Sequence, residues 1–103
     1  MGLFSKWLKI GKLEDLPKRS CFQHKNKAYA VFKLNEEVFV LDDVCSHEYS
    51  RLSEGEVWDH EVYCPKHGSR FDIKTGEVIN FPATRPVKTY EVKIDNGEVL
   101  LKL

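Results

Sequence analysis

The strongest constraint on this chain is a repeated alternation of apolar and polar residues, interrupted by tight turns. In residues 89–94, Tyr90, Val92 and Ile94 fall on one face, and Asn96-Gly97 then leads into a second apolar run. An Asn-Gly step between two alternating runs is the strongest short-range signal for a β-hairpin. The C-terminal region is therefore predicted to form two antiparallel strands, over residues 89–94 and 98–103.

Shorter runs of the same kind occupy much of the remaining chain. The further predicted strands, which flank turns at Asn35-Glu36 and at residues 74–76, are residues 28–34, 37–41, 70–72 and 77–79. Helical periodicity is weak, and a single helical turn is predicted at residues 13–16. The chain is therefore predicted to be mostly β, a sandwich or barrel of short antiparallel strands in one domain spanning residues 1–103.

The charge balance excludes some classes of partner. Sixteen basic residues offset sixteen acidic ones, so there is no basic excess of the kind that nucleic acid attracts. No run approaches the ~18 apolar residues of a membrane-spanning helix, and Lys6 precedes any apolar run of signal-peptide length. We expect a monomeric cytoplasmic protein that binds neither nucleic acid nor membranes.

The cysteines and histidines form two mixed pairs. Cys45 and His47 are separated by one residue, Cys64 and His67 by two, and sixteen residues lie between His47 and Cys64. Both pairs lie in predicted loops, residues 44–55 and 65–69 with the flanking Cys64. Thiolate and imidazole donors together suit zinc or an iron–sulfur cluster, and disfavour magnesium or calcium.

The third cysteine, Cys21, makes the cysteine count odd. An odd count in a chain without a secretion signal argues against a disulfide framework. Cys21 has no histidine or cysteine beside it with which to form a third pair. It is therefore predicted to be a small buried apolar residue.

Two kinds of metal centre remain open for the two pairs. Structural zinc modules usually pair cysteine with cysteine and histidine with histidine, often with the histidines on a helix. Here each pair mixes the two residue types, and no helix is predicted at His67. The mixed order favours a [2Fe–2S] cluster in which two histidines replace two cysteines on one iron. A zinc-stabilised binding module is the alternative.

The two pairs and their flanks resemble the Rieske family. His67-Gly68-Ser69 resembles its second cluster loop, and Phe81-Pro82-Ala83 resembles its proline loop. The resemblance implies a Rieske-like fold with cluster-binding loops near residues 43–55 and 64–69. It implies one [2Fe–2S] cluster and no catalytic residues. The implied ligands are Cys45, His47, Cys64 and His67.

Departures from the family pattern indicate which class of Rieske protein this chain resembles. Rieske proteins of cytochrome bc complexes carry an extra, disulfide-bonded cysteine in each cluster loop, where this chain has Ser50 and Lys66. It is more similar to the ferredoxins of ring-hydroxylating dioxygenase systems. That implies a one-electron carrier between a reductase and a terminal oxygenase, not an enzyme. A Rieske-like small subunit of another redox enzyme, such as nitrite reductase, is the alternative.

Some further residues carry weaker predictions. High-potential family members have a tyrosine where Phe71 stands, which implies a lower reduction potential here. Residues 42–61 hold seven acids against one arginine, which indicates either a surface that attracts a basic partner or simply solvated loops. The acids are Asp42, Asp43, Glu48, Glu54, Glu56, Asp59 and Glu61. Trp58 is predicted to pack in the core or at its rim, and His24 and His60 to be exposed.

Overall fold

The computed structural model describes residues 7–43, 51–64, 69–80 and 86–102, which contain ten short strands. The strands are β1 (Trp7–Lys12), β2 (Arg19–His24), β3 (Lys27–Leu34), β4 (Glu37–Asp42), β5 (Val57–Trp58), β6 (Glu61–Tyr63), β7 (Arg70–Asp72), β8 (Thr89–Tyr90), β9 (Val92–Asp95) and β10 (Glu98–Lys102). Single turns of 3₁₀-helix cover Leu13–Asp15 and Leu52–Glu54. Within these ranges no helix is long and apolar enough to cross a membrane.

These strands form three antiparallel sheets. The terminal sheet has the order β1-β10-β9, the central sheet β2-β3-β4-β8, and the small sheet β5-β6-β7. Each hairpin pairs in regular register, for example Phe32 opposite Phe39 on β3 and β4, and Val62 opposite Phe71 on β6 and β7. The predicted fold of short antiparallel strands is therefore confirmed. The described strands are divided among separate sheets, and no closed barrel forms among them.

The central sheet is the middle layer because β3 is buried on both faces. Ala30 and Phe32 belong to an apolar cluster shared with the small sheet, whereas Tyr29 and Val31 belong to one shared with the terminal sheet. Side chains alternate between the faces of a strand, so a strand covered on both sides reads as a continuous apolar run. Burying each large apolar side chain contributes roughly 1.5–3 kcal/mol. This two-sided core fixes the platform from which the small sheet projects.

Two predicted strands differ from those in the structure. Residues 89–94 do not form one strand: the chain leaves the central sheet at Glu91, so that β8 pairs with β4 and β9 pairs with β10. Their alternation continues across the break, which is why the sequence pattern does not reveal it. Residues 77–79 make only an isolated bridge, between Val78 and Phe71. The predicted helical turn near residue 13 is confirmed.

Four side-chain predictions are corrected by the structure. Cys21 is exposed rather than buried, because β2 is an edge strand of the central sheet. Trp58 lies outside the core with 63% of its surface exposed, on β5 at the edge of the small sheet. His24 is half-buried and stacks on Phe22, with 6.4 Å between ring centroids. His60 is also half-buried, and its Nδ1 lies 3.5 Å from a carboxylate oxygen of Asp72.

Candidate metal centre

The second predicted ligand pair begins at the open end of the β6–β7 hairpin. Cys64 directly follows β6 and Ser69 directly precedes β7, and the Cys64 N–H donates to the Ser69 carbonyl over 2.7 Å. Cys64 is only 2% exposed and packs in the apolar cluster that contains Val62 and Phe71. The protein thus holds one candidate thiolate ligand in nearly dry surroundings. His67 lies outside the described residues.

The outer face of this hairpin is held by Arg70. Its guanidinium lies 5.8 Å from the centre of the Tyr63 ring and 3.0 Å from a carboxylate oxygen of Glu61. Its backbone N–H donates to the Asn80 side-chain oxygen over 2.6 Å. Because Arg70 and Tyr63 are opposite each other in the β6–β7 register, these contacts brace the strand ends on either side of residues 65–68.

The first predicted ligand pair, Cys45 and His47, lies outside the described residues, but both flanks of its segment are described. The Asp43 carbonyl accepts the Leu52 N–H over 2.9 Å. The Asp43 carboxylate accepts the Ser53 N–H over 2.7 Å and the Ser53 hydroxyl over 2.9 Å. The residues before and after segment 44–50 are therefore joined to each other at its base.

Arg51 adds an ion pair to this base. Its Nη1 lies 3.3 Å from the second Asp43 carboxylate oxygen and 3.4 Å from the Cys21 sulfur. The Asp43 side chain is completely buried, whereas that of Arg51 is 44% exposed. Although the residue is exposed, partial burial of the Cys21 thiol raises its pKa, and hydrogen bonding to Asp43 raises it further. Cys21 is therefore a protonated thiol at neutral pH, beside the base of segment 44–50.

A second aspartate lies on the opposite face of the same strand end. Asp42 accepts the Tyr90 hydroxyl over 2.6 Å and lies 3.3 Å from the Lys27 ammonium. The pKa of Lys27 is raised, mainly by its hydrogen bond with Tyr90, and that of Tyr90 is raised by burial and by its hydrogen bond to Asp42. Asp42 and Asp43 thus fix the end of β4 from both faces of the central sheet.

From the sequence, these two aspartates count only as charges in an acidic segment. The structure corrects this: Asp43 is buried, and Asp42 binds Tyr90 and Lys27. Their position is the one feature of the sequence that indicates a structural role. Two consecutive carboxylates stand at the end of an apolar strand, just before a predicted ligand. Of the other acids in that segment, Glu54, Glu56 and Asp59 are exposed, and Glu48 lies outside the described residues.

The two parts of the chain that carry the predicted ligands meet at Gly55. A Cβ atom there would lie 1.9 Å from the Tyr63 carbonyl oxygen, and the next residue, Glu56, accepts the Tyr63 N–H over 2.9 Å. The Arg19 guanidinium also donates to the Gly55 carbonyl. The chain that leaves segment 44–50 therefore packs directly against the strand that ends at Cys64.

The residue types present fit an iron–sulfur centre. Among the described residues no three His, Cys, Asp or Glu side chains converge as a metal site, and Cys64 is the one predicted ligand that lies within them. Its sulfur is shielded by apolar neighbours, an environment in which exposure and hydrogen bonding tune a cluster's potential. The assignment of all four ligands, Cys45, His47, Cys64 and His67, stays a prediction.

Comparison with known proteins gives consistent matches. Residues 6–91 match the family model described as Rieske [2Fe-2S] domain. The chain is 35% identical over 99 residues to the ferredoxin component of the naphthalene 1,2-dioxygenase/salicylate 5-hydroxylase systems of Ralstonia sp, covering 94% of this chain and 95% of the relative.

Two solved structures are also similar. The ferredoxin of carbazole 1,9a-dioxygenase from Nocardioides aromaticivorans IC177 has a TM-score of 0.89 at 28% identity, over 94% of this chain and 97% of that one. A chain from a complex of reduced oxygenase and oxidized ferredoxin in carbazole 1,9a-dioxygenase has a TM-score of 0.89 at 29% identity, over 93% and 92%.

Proposed function

This chain belongs to the Rieske [2Fe–2S] family, and from that premise we propose that it passes single electrons from a reductase to a terminal oxygenase. It is a ferredoxin with one [2Fe–2S] cluster, an electron-transfer component rather than a catalytic enzyme. The observation that carries the proposal is the full-length match to a ferredoxin component of a dioxygenase system, which spans 94% of this chain and 95% of the relative.

The proposed ligands are Cys45, His47, Cys64 and His67, with residues 1–103 acting as one domain. When bound, the cluster supplies a centre that takes up and returns one electron. The protein's part is to present two thiolates and two imidazoles from separate segments and to keep water from the sulfur of Cys64, which is buried. Hydrogen bonds and burial around such ligands adjust the potential at which the electron is held.

Exposed acids next to this region suit a basic partner. Glu54, Glu56 and Asp59 are exposed on the stretch that links segment 44–50 to β6, and the exposed Trp58 lies among them. Complementary charge speeds diffusional encounter, and an exposed tryptophan is a frequent anchor in protein interfaces. We propose that this surface, defined by these four residues, receives a basic face of the reductase or oxygenase, and that the carrier works as a cytoplasmic monomer.

The two alternatives predict different proteins. A nitrite reductase small subunit is disfavoured because the full-length relatives are ferredoxin components, and all four ligand positions are filled in this chain. A zinc module would be colourless and would carry no transferable electron. Metal content and colour therefore separate the zinc alternative from the proposal in a single preparation.

The first experiment tests the cofactor and its ligands. Protein produced with adequate iron should be red-brown, with two irons and two labile sulfides per chain, as a [2Fe–2S] domain requires. Cys64→Ser should remove the colour, whereas the matched change Cys21→Ser should keep it, because Cys21 is not one of the proposed ligands and a serine hydroxyl can take the place of its thiol beside Arg51. Stoichiometric zinc in the wild-type protein, or an unchanged cluster in Cys64→Ser, would contradict the proposal.

The second experiment tests the partner surface. Glu54→Gln with Glu56→Gln should slow electron transfer to the terminal oxygenase a few-fold at low ionic strength, and the difference should vanish in high salt. The matched control is Glu14→Gln with Asp15→Asn, which removes two exposed acids beside the terminal sheet. Equal rates for both double variants would rule out steering by this surface.

A further inference from the structure

We propose that Asp43 is a positioning residue that holds segment 44–50 in the arrangement that cluster binding requires. The inference rests on the proposed function, because it takes Cys45 and His47 of that segment as ligands. It goes beyond that function in assigning a role to a side chain that cannot be a cluster ligand in the proposed set.

The geometry at the base of segment 44–50 supports this role. One buried carboxylate accepts two hydrogen bonds from Ser53, over 2.7 and 2.9 Å, and pairs with Arg51 at 3.3 Å. The backbone carbonyl of the same Asp43 accepts the Leu52 N–H over 2.9 Å. A single residue before the segment is thus bonded to three consecutive residues after it.

Distance along the chain makes this base relevant to the ligands. Cys45 is two residues from Asp43, and His47 is four residues from Arg51. Each residue of extended chain spans at most about 3.3–3.6 Å, so two or four residues leave little length in which a shift at the base can be absorbed. Loss of the contacts at Asp43 therefore changes how Cys45 and His47 approach the metal.

Burial distinguishes this role from ordinary stabilisation. A buried ion pair contributes little net stability compared with well-packed apolar residues, because both charges must leave water. What the Asp43 carboxylate adds is direction: its oxygens are aimed at donors of Ser53 and Arg51. An apolar residue of similar size fills the space without fixing those two residues.

The neighbouring aspartate provides the matched control. Asp42 is also an aspartate at the end of β4, with a 2.6 Å hydrogen bond from Tyr90 and an ion pair with Lys27. Its partners lie on β8 and β3, and neither lies in residues 51–53, which follow the segment. Removing its charge therefore perturbs the same strand end without releasing the far side of the segment.

The experiment compares Asp43→Asn with Asp42→Asn in the cluster-containing protein. The readouts are the reduction potential, the electron paramagnetic resonance spectrum of the reduced protein, and the half-life of the visible absorption in chelator. Asp43→Asn should shift the potential and the spectrum and shorten the half-life about tenfold, a factor appropriate to a lost charge-assisted hydrogen bond. Asp42→Asn should leave the spectrum unchanged.

Single-contact variants keep the inference testable if Asp43→Asn fails to fold. Arg51→Gln and Ser53→Ala each remove one side-chain contact to the Asp43 carboxylate. Each variant retains the carboxylate and should shorten the half-life by a smaller factor than Asp43→Asn does. Arg51→Lys should restore part of the loss. Unchanged potential, spectrum and half-life in the folded variants would overturn the positioning role, even if their unfolding free energy fell. Absence of a cluster from the wild-type protein would instead refute the proposed function.

Discussion

The two predicted ligand segments are closed at their bases by different parts of the protein. Segment 65–68 is closed by backbone, through the 2.7 Å hydrogen bond from Cys64 to Ser69 and the β6–β7 ladder beneath it. Segment 44–50 is closed by a single backbone hydrogen bond, from the Leu52 N–H to the Asp43 carbonyl, and by a side chain, the buried carboxylate of Asp43. Backbone hydrogen bonds survive most substitutions, whereas the hydrogen bonds of one side chain are lost when that residue is substituted.

This difference predicts which of the two bases a substitution destabilises more. At the backbone-closed base, side chains contribute mainly by packing, as Val62 and Phe71 do around Cys64. At the base of segment 44–50, the hydrogen bonds and the ion pair of the Asp43 carboxylate hold the chain. Arg51 is half exposed, so solvent and salt can weaken that ion pair. We therefore expect the Asp43 base to be the more sensitive of the two to mutation.

The largest expected effect is the loss of the Asp43 carboxylate. Asp43→Ala leaves the Ser53 N–H and hydroxyl and the Arg51 guanidinium without their acceptor, and should lower the free energy of unfolding by about 2–4 kcal/mol. The estimate lies below that for a fully buried pair because Arg51 is partly solvated. Chemical denaturation should give a smaller loss, about 1 kcal/mol, for Arg70→Gln, which removes a half-buried contact with Glu61 and Tyr63 beside the other base. Equal losses would erase the proposed difference.

Gly55→Ala should damage both bases through one contact. Its Cβ would lie 1.9 Å from the Tyr63 carbonyl, so the chain after segment 44–50 must move away from the strand that ends at Cys64. Such overpacking costs about 1–3 kcal/mol. The control is Gly97→Ala, where nothing lies within 4 Å of the new Cβ and only the positive φ of 78° opposes it. Unfolding should be easier for Gly55→Ala, and its cluster should be lost faster.

Phe71→Tyr probes the backbone-closed side. Phe71 is fully buried in the cluster of apolar residues that contains Cys64, so a hydroxyl placed there should raise the potential by tens of millivolts by donating toward sulfur. We expect the wild-type potential at about −150 to 0 mV, measured by protein-film voltammetry. Phe39 lies at the margin of the same group of apolar residues. The control variant Phe39→Tyr should therefore leave the reduction potential unchanged. A wild-type value above about +200 mV would contradict the ferredoxin assignment.

The smallest expected effect is on the Cys21 thiol, which reports the charge at the Asp43 base. Because Asp43 raises its pKa and Arg51 lowers it, Asp43→Asn should lower that pKa and Arg51→Gln should raise it. The thiolate is the reactive form, so the pH at which alkylation accelerates should move down in the first variant and up in the second. Rates for Cys21→Ser protein give the background, and shifts of the same sign would contradict the geometry.

The sequence carries most of the strand pattern because alternation and turn residues are local signals. Residues 28–34 and 37–41 emerge as β3 and β4 within one residue at each end. The division of residues 89–94 between two sheets has no local signal, since both halves keep the same alternation. Which sheet a strand joins depends on partners distant in sequence.

The site is divided in the same way. The prediction that Cys64 and His67 are ligands rests on spacing alone, whereas the backbone closure behind Cys64 follows from a hairpin. The closure at Asp43 depends on where residues 51 and 53 come to lie, and an aspartate in an acidic stretch reads as solvated. The prediction that Cys21 is buried was wrong for a related reason. The exposure of an edge strand depends on which other elements cover it, and the local sequence does not specify them.

The pairing of β1 with β10 has a consequence for protein engineering. Trp7 lies opposite Lys102, so the first and last strands of the described chain end side by side on the terminal sheet. A short peptide joining them would permit circular permutation, with new ends cut in the Lys25-Asn26 turn between β2 and β3. The order of the two ligand segments along the polypeptide is kept in such a rearranged chain. A partner domain genetically fused near either strand end would likewise be tethered to the terminal sheet, leaving the small sheet and its predicted ligand segment unobstructed.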